Sequence, residues 1–76
     1  MRTAVEVTAE LTASVLRCHV EPGARVAEGD TLLVVESMKM EIPIAAPVGG
    51  RVEKVAVGPQ DLVAEGDVLV VVEPDG

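Results

Sequence analysis

Apolar and polar residues alternate along this chain in short bursts divided by turn-forming clusters. Around residues 16–20 the period is two: Leu16, Cys18 and Val20 fall on one face, and Arg17 and His19 on the other. Leu32 to Val35 and Val68 to Val72 are continuously apolar, as in strands with little solvent on either face. Val dominates, and its β-branched side chain favours a pleated backbone over a helix. The pattern predicts strands at 4–9, 14–20, 25–26, 31–36, 40–45, 51–57, 62–63 and 68–73. Between them lie Glu21-Pro22-Gly23, Ala27-Glu28-Gly29-Asp30, Ala46-Pro47-Val48-Gly49-Gly50, Gly58-Pro59-Gln60-Asp61 and Ala64-Glu65-Gly66-Asp67. No stretch sustains a 3.6-residue period with caps, so no helix is expected.

The strands come in two copies. Residues 26–30 and 63–67 are both Val-Ala-Glu-Gly-Asp, and sliding by 37 residues aligns 15–36 with 52–73 at 12 identities in 22 positions. The chain is thus expected to be one domain, 1–76, built from quasi-repeats at about 4–37 and 41–74 and related by a pseudo-twofold. The phase slips at Val15 and Val52, which predicts a bulge or twist in each copy. Gly29 and Gly66 are expected at positive φ in paired turns. Short strands, tight turns and duplication indicate an all-β fold, a flattened barrel or sandwich of two four-stranded antiparallel sheets.

Composition narrows the function. With 76 residues the domain buries a modest share of its surface. It contains no Phe, Tyr or Trp, so bases have no aromatic ring to stack on. The net charge of −7, from 13 acids and 6 bases, repels a phosphate backbone and an anionic membrane alike. No nucleic-acid or membrane partner is expected. One cysteine, Cys18, and one histidine, His19, fall short of a zinc set, and a fold without disulfides suits a reducing compartment. No apolar run approaches the roughly 20 residues that span a membrane. Residues 1–20 lack a secretory pattern, so a cytoplasmic location is expected. No Ser–His–acid or Cys–His layout with room around it is visible, and no catalytic residue is assigned.

The junction between the copies carries the candidate chemistry. Ser37-Met38-Lys39-Met40 sits between two strong strands, so two or three residues must make a hairpin. Met-Lys is a poor choice for a primed turn, which favours Asn or Gly. A local rule broken at one point directs attention there. The chain has two lysines. Lys54 aligns with Arg17 inside a strand, whereas Lys39 has no repeat partner and would project from the tip into another protein's active site. A lysine ammonium must lose a proton before it attacks an acyl group, so an acylating enzyme must supply a base.

Glu36-Ser37-Met38-Lys39-Met40-Glu41 resembles the attachment motif of the biotinyl/lipoyl domain family, biotin carboxyl carrier type, usually Glu-Ala-Met-Lys-Met. Ile44-Ala45-Ala46-Pro47 and Gly50-Arg51-Val52 resemble the family's Ile-x-Ala-Pro and Gly-x-Val, and the resemblance runs from about Val5 to Glu73. It implies that Lys39 is acylated by biotin, with the lysine turn at one end of a two-sheet sandwich and both termini at the other. Met38 and Met40 are either gap-filling core residues or part of the surface a ligase recognises. Glu36, Ser37 and Glu41 complete the motif, with Glu41 an acidic neighbour that discourages wrong modification. Only Glu21-Pro22-Gly23-Ala24 separates Val20 from Arg25, so the "thumb" of some biotin domains is absent. That is similar to carriers of pyruvate carboxylase type and to free-standing biotin attachment proteins. The chain begins with Met and no Ala/Pro-rich linker precedes Val5, so a free-standing protein is expected. On its own the chain is expected to be monomeric.

The resemblance implies a non-catalytic carrier. A biotin protein ligase would acylate Lys39, a biotin carboxylase would load carboxylate, and a carboxyltransferase would pass it to an acceptor. Two rivals stay open. A lipoyl carrier of a 2-oxo acid dehydrogenase or glycine-cleavage system would carry lipoate instead, though lipoyl domains usually have Asp before the lysine. An unmodified structural domain of the same shape would have no use for the lysine.

Overall fold

A computed structural model describes residues 3–75 as eight strands joined by turns. They are β1 (Val5–Thr8), β2 (Ala13–Cys18), β3 (Arg25–Val26), β4 (Thr31–Ser37), β5 (Met40–Ala45), β6 (Gly50–Val55), β7 (Leu62–Val63) and β8 (Val68–Pro74). They pair into two four-stranded antiparallel sheets, β1-β8-β6-β3 and β5-β4-β2-β7. The expected all-β sandwich is the observed fold. Among the described residues no helix is long and apolar enough to cross a membrane.

The duplication is built into the topology. Advancing β2, β3 and β4 by 37 residues gives β6, β7 and β8, and advancing β1 gives β5. One sheet's strand order therefore maps onto the other's. Backbone hydrogen bonds repeat with the strands. Ala9 N–H donates to Asp67 O at 2.9 Å, and Ala46 N–H to Asp30 O at 2.8 Å. Gly66 N–H donates to Ala9 O and Gly29 N–H to Ala46 O, each at 2.8 Å. The shared Val-Ala-Glu-Gly-Asp turn explains itself: Asp30 Oδ2 accepts from Ala27 N–H at 2.9 Å, and Asp67 Oδ2 from Ala64 N–H at 2.8 Å. Each bond contributes about 1 kcal/mol. Gly29 and Gly66 hold φ of 93° and 92°, which a Cβ would disfavour.

The core forms between the sheets. Leu32, Leu33 and Leu69 lie fully buried beside Val15, Val35, Val52, Val70 and Val72. Burying each such side chain stabilises the fold by about 2 kcal/mol. The predicted phase slips are β-bulges. Register shifts between Val15 and Arg17 against β4, and between Val52 and Lys54 against β8. The bulge corrects one expectation. The period of two puts Leu16 with Cys18 and Val20, yet Val15 is the core residue of that stretch and Leu16 is the unpaired extra one. Past the bulge the phase recovers, and Cys18 and Val20 pack on the core. His19 falls beyond β2, which ends at Cys18, although its N–H still donates to Leu32 O at 2.8 Å. Val34 is buried on the outer face of its sheet, flanked in register by Arg17 and Pro43, whereas its repeat mate Val71 is half-exposed between Glu6 and Lys54.

The molecule measures 39 × 19 × 17 Å. One end gathers the β4–β5 hairpin, residues 9–12 and the 64–67 turn. The other gathers the C-terminal segment, residues 46–49 and the 27–30 turn. At the second end Asp75 N–H donates to Gly49 O at 3.1 Å, and Arg25 pairs with Asp75 at 2.6 Å. The turn at 21–24 is short, with Gly23 at φ 94°. In the second copy Gln60 takes Gly23's place at φ 75°, so the departure from glycine leaves the turn's geometry intact.

Candidate functional site

The β4–β5 hairpin closes with two residues, Met38 and Lys39, between Ser37 and its register partner Met40. Both have positive φ, 54° and 65°, the left-handed pair that a two-residue primed turn demands. Neither residue type favours that region, so the turn is held by the strands it joins. Leu33, Val34 and Val35 anchor β4, and Ser37 Oγ donates to Thr12 O at 3.2 Å. Met38 is 91% exposed and buries almost nothing. Met38→Asn should therefore stabilise the fold by about 0.5–1 kcal/mol, because Asn tolerates positive φ and little packing is lost. A thermal melt several degrees higher would show it; a lower one would mean that Met38 packs on something.

Lys39 is exposed at the turn. Among the described residues it forms no ion pair or side-chain hydrogen bond. Its amine is thus free to enter a partner's cleft. Met40 is 62% exposed. The gap-filling alternative for the two methionines does not hold: neither is in the core, because both lie past the last buried row of the sandwich.

Behind the tip, Glu36 of β4 faces Glu41 of β5 in register. Two like charges directly opposite destabilise a sheet by a few tenths of a kcal/mol. Arg17 of β2 offsets this by reaching across to Glu41, Nη2 to Oε1 at 3.1 Å. Both partners are more than half exposed, so the pair adds under about 1 kcal/mol. Glu41 is therefore already engaged. The Arg17–Glu41 pair and the Ser37–Thr12 latch join β2 and the β1–β2 connection to the hairpin. The sequence holds no signal for either, because both depend on sheet register.

Two concavities among the described residues hold the other candidate side chains. Cys18 and His19 lie together beside Val20, Glu21 and Ala24 in a shallow concavity. Burial first, and the Asp61 charge second, push the Cys18 thiol above its ordinary pKa, so it stays protonated at neutral pH. Its Sγ lies 3.7 Å from Val57 O, a long sulfur hydrogen bond. An open groove between β1 and β5 is floored by Val7, Leu11, Ile42 and Ile44. Among the described residues its ionisable lining is Glu6 and Glu10, with no His or Cys beside them to act as nucleophile or base.

Comparison with known proteins agrees with this geometry. Residues 3–75 match the family described as biotin-requiring enzyme. The biotinylated protein TB7.3 homolog of Mycobacterium leprae is 52% identical over 52 residues, 68% of this chain and 73% of that protein. The mitochondrial methylcrotonoyl-CoA carboxylase subunit alpha of Mus musculus is 45% identical over 47 residues, 62% of this chain but 7% of that one. A single-chain, multi-domain long-chain acyl-CoA carboxylase superposes with a TM-score of 0.88 at 34% identity, over 96% of this chain and 7% of that one. The chain thus spans a small part of each of these two carboxylases.

Proposed function

The chain belongs to the biotin/lipoyl family, and from that premise we propose that it is a biotin carboxyl carrier with Lys39 as the point of attachment. The observation that carries this reading is the free amine of Lys39 at the tip of a two-residue hairpin, inside Glu36-Ser37-Met38-Lys39-Met40-Glu41. These residues fit the group: the lysine projects clear of the body, and the turn positions it without help from ligand contacts. The names of the relatives favour biotin over lipoate, as do methionines on both sides of the lysine.

In the acylation step a biotin protein ligase presents an acyl adenylate. The Lys39 nitrogen, after losing a proton, attacks the acyl carbon. An amide bond forms, the bond to the AMP phosphate oxygen breaks, and AMP leaves. Biotin, once bound, supplies a ureido ring that takes up carboxylate at one enzyme and gives it up at another. This chain contributes placement. The lysine and its acyl group form an arm reaching on the order of 10–15 Å. Tethering raises the effective concentration at each partner site to about the millimolar range. The partners in this reading are a biotin carboxylase and a carboxyltransferase, met by a chain that is itself monomeric. A reducing cytoplasm suits the protonated, unpaired Cys18 thiol.

The test is intact mass after co-expression with a biotin ligase, followed by peptide mapping. One biotinyl increment on the Lys39 peptide alone is expected. A lipoyl increment would move the chain to lipoate chemistry. No increment, with the ligase active on a control carrier, would leave an unmodified structural domain.

A further inference from the structure

The internal duplication supplies its own control for surface composition. Positions 37 residues apart occupy matching backbone sites at opposite ends of the sandwich, so a feature confined to the lysine end is not required by the fold. The exposed large apolar side chains among the described residues are Met38, Leu62 and Met40, at 91%, 82% and 62% exposure. All three are at the lysine end. Their equivalents at the other end are Asp75, Arg25 and Thr3, all polar and all exposed.

The sheet register places Leu62 on the outer face of the lysine-bearing sheet. Glu41 faces Glu36, Glu36 faces Ser14, and Ser14 faces Leu62, so these four share one row and one face. The matching positions at the other end are Ala4, Glu73, Arg51 and Arg25. Two arginines there stand where Ser14 and Leu62 stand here. The lysine end is therefore both more apolar and more acidic than its twin. Single exposed hydrophobic residues are ordinary. Three on one end, against none at the equivalent sites, are a specific arrangement.

This inference rests on Lys39 being the acylated residue. We infer that Leu62 is the apolar anchor of a docking surface, with Glu36 and Glu41 in its row and Met38 at the hairpin tip, on which the biotin-transferring ligase seats. Reach decides between the ligase and the carboxylase partners. Before acylation the lysine side chain extends only about 6 Å, so the enzyme that modifies it must press its own surface against this end. After acylation the arm is about twice as long, and later partners need no contact with the sheet face. Leu62 lies two strands from β4 and about two rows below the tip, on the order of 14 Å from Lys39. A standard interface covers about 800 Å² per side, a disc of roughly 16 Å radius, which includes Leu62. The complementary partner surface has an apolar socket with a basic rim facing Glu36, since Arg17 already pairs with Glu41.

The test uses the full chain, a purified biotin protein ligase, ATP and biotin, with initial rates across a range of chain concentrations. Leu62→Ser should raise KM about tenfold with kcat unchanged, because contact is lost while the reacting amine is untouched. Leu62→Lys should raise it further, by placing a cation against a basic rim. Arg25→Ser, the matching position at the other end, should change KM less than about twofold. Thermal melts within a few degrees of wild type establish that the variants fold. KM unchanged in both Leu62 variants, or a loss in kcat alone, overturns the docking surface. Failure of the wild-type chain to be acylated, with the ligase active on a control carrier, is a different result: it removes Lys39 as the attachment point and this inference with it.

Discussion

Lys39→Arg should give a chain that folds and melts like the wild type and acquires no biotin at all. Arginine keeps the positive charge and nearly the length of lysine, so a ligase attracted by charge or shape still meets its target. What disappears is the nucleophile. A guanidinium stays protonated in proteins and its nitrogens share their lone pairs with the carbon, so the acyl group has no free amine to accept it. The loss is therefore complete at any ligase concentration, unlike the graded effect of a weakened contact. Stability should change by less than about 0.5 kcal/mol, because Lys39 is exposed and among the described residues forms no ion pair. The measurement is intact mass beside a thermal melt. Lys54 is the internal control. It is exposed too, but it lies in the extended β6 and not at a turn. Acylation persisting on Lys54, or a chain that unfolds, would sink the assignment of Lys39.

The sequence made the frame of this site legible because the frame depends on features that sequence encodes locally. Val-rich bursts mark strands, the repeated Val-Ala-Glu-Gly-Asp marks equivalent turns, and the 37-residue offset locates a junction that the repeat does not explain. Even the bulges at Val15 and Val52 left a trace, as breaks in an alternating phase. Features that depend on which strand lies beside which were not legible. The alternating pattern puts Leu16 on a face with Cys18 and Val20, but the bulge makes Val15 the core residue of that stretch. The methionines beside Lys39 read equally well as core or surface, since Met suits both, and only the position of the last buried row decides. The Arg17–Glu41 pair spans 24 residues, and Leu62 joins Glu36 only through Ser14 of an intervening strand. Strand ends moved by one or two residues for a related reason. The β1 pairing with β8 shifts register between Val7 and Thr8, so β1 ends at Thr8 although the apolar pattern runs on to the buried Ala9.

A second large effect is expected far from the lysine. Gly50→Ala should destabilise the domain by about 3 kcal/mol. Gly50 opens β6, opposite Pro74 of β8. A Cβ there would overlap the carbonyl oxygen of Glu73, and would sit 2.9 Å from both Glu73 C and Pro74 Cα. These are backbone atoms, so no side chain can swing aside and relief requires β8 to shift. The strand that must move carries Leu69, Val70 and Val72, all fully buried, so the displacement disturbs the core itself. Conformational preference is not the cause, because Gly50 is not among the positive-φ glycines. The duplication again provides a control. Ala13 is the repeat equivalent of Gly50 and already carries a Cβ, packed at 6% exposure and paired with Val63. Ala13→Gly should cost only about 1 kcal/mol, from backbone entropy and one lost methyl. A domain of this size has a total stability of about 4–11 kcal/mol. Gly50→Ala should thus lower the melting temperature by roughly 12–24 °C, against roughly 4–8 °C for Ala13→Gly. Equal shifts for the two would mean that β8 yields at Pro74 without cost. Because Gly50 is at the end opposite the hairpin, whatever fraction of Gly50→Ala still folds should accept biotin on Lys39 at the wild-type rate. That separates a destabilised scaffold from a damaged attachment site.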